Sequence, residues 1–92
     1  MMKLYEDPKI SKYSSNLKKV RILRTLTQEE LAQISGVNIK SLAIYEQIPE
    51  KLSSASVSTV YKLASALNCE MEDILNKDTI EIWVIIIDFD YI

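Results

Sequence analysis

The stretch Thr27-Gln28-Glu29-Glu30-Leu31-Ala32-Gln33-Ile34-Ser35-Gly36-Val37-Asn38-Ile39-Lys40-Ser41-Leu42-Ala43-Ile44-Tyr45-Glu46 decides how the rest of the chain is read. It opens on a capping box. The Thr27 hydroxyl can accept from the Glu30 amide, while the Glu30 carboxylate reaches back to the Thr27 amide. That pair starts a short helix through Leu31, Ala32 and Ile34. Gly36 ends it, because the left-handed residue that follows a helix costs least as glycine. Asn38 can then cap a third helix, Ile39–Gln47, with Leu42 and Tyr45 on its inner side.

Upstream, Asn16–Leu26 has helical spacing, with Leu17, Val20 and Leu23 on one side and Lys18, Lys19, Arg21 and Arg24 spread over the others. Downstream, Pro49 stops the third helix, and the serine-rich Pro49–Ala55 stretch reads as a loop. Ser56 can cap a fourth helix whose apolar stripe is Val57, Val60, Leu63, Ala64 and Leu67. A short fifth helix is expected over Met71–Asn76, with Ile74 and Leu75 inward. Glu72 and Asp73 sit in its first turn, where the helix dipole favours them. Residues 79–92 change character. They are dense in β-branched and aromatic side chains, Ile82-Trp83-Val84-Ile85-Ile86-Ile87 above all, and predict a strand. Fewer than about 20 apolar residues run together there and acids interrupt them, so no membrane span is expected.

Composition narrows the chemistry. The chain has 92 residues, 48% hydrophobic and 26% charged, which suits one globular domain. It has no histidine, one glycine and one cysteine. Serine–histidine–acid hydrolysis, histidine-ligated metals, glycine-rich phosphate loops and internal disulfides are therefore excluded. No acid/base or nucleophile constellation remains, so the expectation is a non-enzyme without a cofactor. The single Cys69 suits a reducing compartment, and Met1–Ile10 carries no apolar run of the signal-peptide kind. Together they point to the cytoplasm. The net charge of −2 is unevenly spread. Over residues 12–69, eight basic side chains against four acidic ones leave +4; over 70–92, seven acids against Lys77 leave −6. A mildly basic body with an acidic tail permits nucleic-acid binding without demanding it.

Two short helices joined across a glycine within a bundle of about five form the helix-turn-helix arrangement. Residues 16–76 resemble the lambda-repressor-like DNA-binding domain, the Cro/cI-type (Xre family) helix-turn-helix. The resemblance lies in Thr27-Gln28-Glu29-Glu30-Leu31-Ala32, Gly36-Val37, Ser41 and Tyr45-Glu46, at the family's own spacing. Lys62-Leu63-Ala64-Ser65-Ala66-Leu67 and Glu72-Asp73-Ile74-Leu75 extend it. The fold it implies is an all-α, five-helix bundle, here with a C-terminal β-strand added. The chain then divides into an N-terminal arm (1–12), a DNA-binding domain (13–77) and a strand tail (78–92).

The resemblance implies roles for particular residues. Arg21 and Glu46 would pair and lock the third helix to the scaffold. Gln28 would hold a phosphate. Asn38, Ile39, Lys40 and Ile44 would meet base edges, with Ser41 near the backbone. Chemically, Lys40 can donate to guanine, and Ile39 and Ile44 can meet thymine methyls, while Asn38 reads equally well as a plain helix cap. Lys18, Lys19, Arg24 and Lys51 are further phosphate candidates. One stretch departs from the family. After Tyr45-Glu46 the pattern expects a polar residue, glycine and then basic residues, where this chain has Gln47-Ile48-Pro49-Glu50-Lys51.

Two functions follow. The first is a sequence-specific regulator, a repressor that binds double-stranded DNA as a homodimer joined by the tail strand. The second is a protein-binding module, such as an antitoxin, whose strand or outward Ile39, Ala43, Ile44 and Ile48 holds a partner such as a toxin. A lone strand needs a neighbour. Those on offer are its two-fold mate, its own chain (by folding back onto the helices or pairing with Lys3-Leu4-Tyr5), and a sheet in another protein.

Overall fold

Residues 4–10 and 12–76 are described by a computed structural model, and their regular secondary structure is all helical. A single 3₁₀ turn, Leu4–Glu6, precedes six α-helices: α1 Asn16–Leu23, α2 Gln28–Ser35, α3 Ile39–Gln47, α4 Pro49–Ser53, α5 Val57–Ala66 and α6 Met71–Ile74. The strand expected over 79–92 lies outside the described residues. Leu4 and Tyr5, one of its suggested partners, lie in the 3₁₀ turn and offer no strand edge. Ile10 is buried and Leu4 packs on the core, so residues 4–10 are part of the packed body.

Side-chain caps set most of the helix starts. Ser15 accepts from the Lys18 amide at α1 (3.2 Å), and Ser56 accepts from the Thr59 amide at α5 (3.1 Å). At α6 the Asp73 carboxylate reaches back to the Glu70 amide (2.9 Å). This helix is two residues shorter than expected and ends at Ile74.

Beyond that shortening, the described residues form six α-helices where five were expected, and three further readings need correction. The first helix ends at Leu23 rather than Leu26. Thr25 takes φ +59° beyond its end, its amide bonds back to the Ile22 carbonyl, and the Leu26 amide bonds back to the Arg21 carbonyl. This is a Schellman closure with threonine in the place glycine usually holds. The Pro49–Ala55 loop is for most of its length a helix, α4. Proline's fixed φ and missing N–H are harmless at a first helical position, and Leu52 enters the core to hold the turn in place. Val57 is not in the core stripe. It is 60% exposed, because the buried side of α5 is Val60, Leu63 and Ala64.

Leu17 and Val20 of α1, Leu31 of α2, Leu42 of α3, Leu52 of α4, Val60, Leu63, Ala64 and Leu67 at α5, and Ile74 and Leu75 at α6 make one core. Burial of each large side chain stabilises by roughly 1.5–3 kcal/mol. Every α-helix contributes to this core, which fixes α2 and α3 against the rest. The helix α1 packs on α6 and α3, while α2 packs on α3 and α5. The N-terminus of α1 is also tied to the end of the bundle. Asn16 donates to the Leu75 carbonyl (2.8 Å), its amide donates to Asn76 Oδ1 (3.2 Å), and Asn76 donates to the Ser14 carbonyl (3.1 Å).

Candidate nucleic-acid interface

The interface is built from two helices of eight and nine residues with a two-residue connection after the glycine. At α2 both halves of the capping box are made: Thr27 Oγ1 accepts from the Glu30 amide (3.0 Å) and Glu30 Oε1 from the Thr27 amide (2.9 Å). Gly36 closes α2 at φ +77°, its amide bonded to the Ala32 carbonyl. Asn38 Oδ1 then accepts from the Lys40 amide (2.8 Å) and starts α3. Leu31 and Leu42, both fully buried, secure the two helices to the common core.

A second lock holds the far end of α3. Arg21 Nε and Nη2 donate to Glu46 Oε2 (2.6 Å) and Oε1 (3.0 Å), a bidentate pair in which the Glu46 side chain is 3% exposed. Arg21 Nη1 also donates to the Leu26 carbonyl (2.8 Å), in the turn that the Arg21 carbonyl itself helps to close. Fork-to-fork geometry of this kind fixes direction as well as distance. It orients α3 relative to α1, and it turns the acidic side chain of α3 away from the helix's outer surface.

The expected base-edge residues sit on that outer surface. Asn38, Ile39, Lys40 and Ile44 are all exposed, while Leu42 and Glu46 face inward. Ser41 and Ala43 are half-buried at the flanks. Ile48, at the end of α3, is exposed as well, as is Lys51 on α4. Asn38 therefore holds a cap with its oxygen and is exposed, so the two readings of this residue are compatible.

The remaining phosphate candidates are more constrained than the sequence suggests. Gln28 Nε2 donates to Glu46 Oε1 (3.1 Å), so one of its amide protons already serves the Arg21–Glu46 lock. Lys18 Nζ stands over the Tyr13 ring, 5.1 Å from its centroid, and Lys19 is half-buried. Arg24 is occupied elsewhere. Its Nε and Nη2 donate to the Leu67 (2.8 Å) and Asn68 (3.2 Å) carbonyls, capping the C-terminus of α5 where Asn68 turns the chain at φ +52°. The links from Gln28 and Arg24 have no local signal in the sequence, since they span 18 and 43 positions.

Among the described residues no cluster of histidine, cysteine or acidic side chains could hold a metal ion, and no helix is long and apolar enough to cross a membrane. Residues 16–78 match the family model of the Cro/C1-type helix-turn-helix DNA-binding domain. No curated protein and no solved structure matches the chain significantly.

Proposed function

The chain belongs to the Cro/C1-type helix-turn-helix DNA-binding family, and on that premise we propose that it is a sequence-specific regulator, a cytoplasmic repressor acting by occupancy. In this reading α3 enters the major groove. Asn38, Ile39, Lys40 and Ile44 face base edges, and Ser41, Gln28, Lys18, Lys19 and Lys51 lie toward the phosphates. Arg24 contributes by holding α5 in place. A homodimer joined through residues 79–92 places two copies of α3 on adjacent half-sites.

One observation carries the proposal. The outward side of α3 presents Lys40, while Glu46, the acidic residue of that helix, is turned inward and bound by Arg21. An exposed cation in the first turn of α3 suits a polyanion's groove.

A second reading has its own support. Ile39, Ile44 and Ile48 are exposed together along α3, and the next segment holds Pro49 and Glu50 where the family carries basic residues. That combination favours a protein partner, such as a toxin, over phosphate. Binding of the full chain to random-sequence duplex DNA, titrated against salt, separates the two. The regulator shows log affinity falling linearly with log salt, by about 0.9 per phosphate neutralised. Weak binding that is flat in salt would replace it with the protein-binding module.

A further inference from the structure

On the DNA-binding reading, the surface of α3 also indicates what kind of sequence it reads. At 3.6 residues per turn, Lys40, Ala43, Ile44 and Gln47 fill the half of the helix opposite Leu42 and Glu46, and Ile39 flanks them at the N-terminal edge. Recognition helices use their N-terminal residues on bases. Gln47 is the last residue of α3, roughly 12 Å along the axis from Ile39. Through the first turn and a half the groove therefore meets Asn38, Ile39, Lys40, Ala43 and Ile44. Asn38 spends one of the two acceptor positions of its oxygen on the Lys40 amide. Lys40 is left as the one charged reader, and the two large side chains beside it are isoleucines, 37% and 46% exposed. The thymine C5-methyl is the apolar feature of the major-groove edge, and it is the group such side chains can recognise.

We infer that this protein selects its half-site mainly by thymine methyl groups. Ile39 and Ile44 each cover one methyl, and Lys40 reads a guanine between or beside them. The two isoleucines are separated by about 7.5 Å along the helix axis and about 140° around it, so they meet two different base pairs. Glu46, held inward by Arg21, leaves this apolar strip next to a positive charge rather than a negative one. That charge favours a polyanion such as duplex DNA over an uncharged protein groove.

The test begins with selection of bound sequences from a random duplex pool by the full chain. Each thymine of the enriched half-site is then replaced by deoxyuridine, which pairs identically but lacks the methyl. Dissociation constants are measured by fluorescence anisotropy at one fixed salt concentration. The expected loss is about fourfold per contacted methyl, at two positions. In Ile44→Ala, whose exposed side chain is not needed for the core, one of those two losses should vanish while the other remains. Tight binding to an enriched sequence that is indifferent to every uridine replacement would overturn the methyl readout and leave the regulator standing. Failure to enrich any sequence, with flat salt dependence, would remove the regulator itself and the inference with it. Abolition of binding by residues 79–92 supplied as a peptide would show that the strip is covered by the tail instead.

Discussion

At the scale of single residues, the ion pair between Arg21 and Glu46 organises the most chemistry. Three guanidinium nitrogens and both carboxylate oxygens are used, and Gln28 takes a share of the same carboxylate. Removing one partner strands the other charge in a place that water does not reach, and that costs more than the pair contributes. Glu46→Ala should lower stability by about 3 kcal/mol, which for a domain of this size moves the melting point by roughly 12–24 °C. Replacing both partners with apolar groups of similar volume, Arg21→Met with Glu46→Leu, should recover most of that loss. A double-mutant cycle followed by circular dichroism measures it, and an unaltered melt in Glu46→Ala would show the pair to be idle. Cys69 makes a separate point. Burial, with Asp73 adding to it, pushes its thiol up from 9.0 to about 11. At pH 8 the thiolate is then about a hundredfold scarcer than in the unfolded chain, and alkylation should slow by a similar factor. Because the folded pKa is the raised one, the thiol's contribution to stability is complete below pH 9 and fades as pH climbs toward 11. Wild-type melts should therefore fall relative to those of Cys69→Ala across that interval.

At the scale of the element, what matters is how each helix ends. Gly36 takes φ +77°, and a Cβ there would meet nothing within 4 Å, so the cost of Gly36→Ala is backbone strain alone. It should be about 1–2 kcal/mol. Gly36→Asn should lose less, since asparagine tolerates the left-handed region. Chemical denaturation of the three proteins ranks them, and equal midpoints would mean that the turn relaxes freely. These ends also explain which parts of the fold could be read in advance. The limits of α2 and α3 were legible because Thr27, Gly36 and Asn38 write them in side-chain chemistry. The end of α1 was hidden, since it rests on threonine in a glycine's conformation, steadied by Arg21 from within the same turn. Pro49 read as a terminator is ambiguous in sequence, because the residue that stops one helix is also suited to begin another. The same divide runs through the interface. The outward residues of α3 follow from helical spacing once Leu42 is known to be inside. The engagement of Gln28 and Arg24 depends on partners that only the packed bundle brings near.

At the scale of the whole molecule, the body and the tail oppose each other in charge, and the described residues share one apolar core. Among the described residues the buried apolar side chains fall between Ile10 and Leu75, and hydrogen bonds join Asn16 to Leu75 and Asn76 to Ser14. A chain cut after Lys77 should therefore keep its helical signal and melt cooperatively. Its DNA binding should not survive equally well. On the proposed reading, with Arg24 occupied and Gln28 shared, one α3 in one groove would be left few phosphate contacts and a single half-site would be held weakly. Joining two copies turns the second contact into an intramolecular event, with an effective concentration in the millimolar range for a short connection. If residues 79–92 make that junction, light scattering at tens of micromolar should give twice the 10.6 kDa chain mass for the full-length protein and a monomer mass for the cut one. Affinity for a two-half-site duplex should fall a hundredfold or more on truncation, while affinity for one half-site stays within about twofold. Equal masses for the two proteins would place the dimer contact elsewhere or abolish it. Equal affinities on the two-half-site duplex would show that α3 reads its site without help from a second copy.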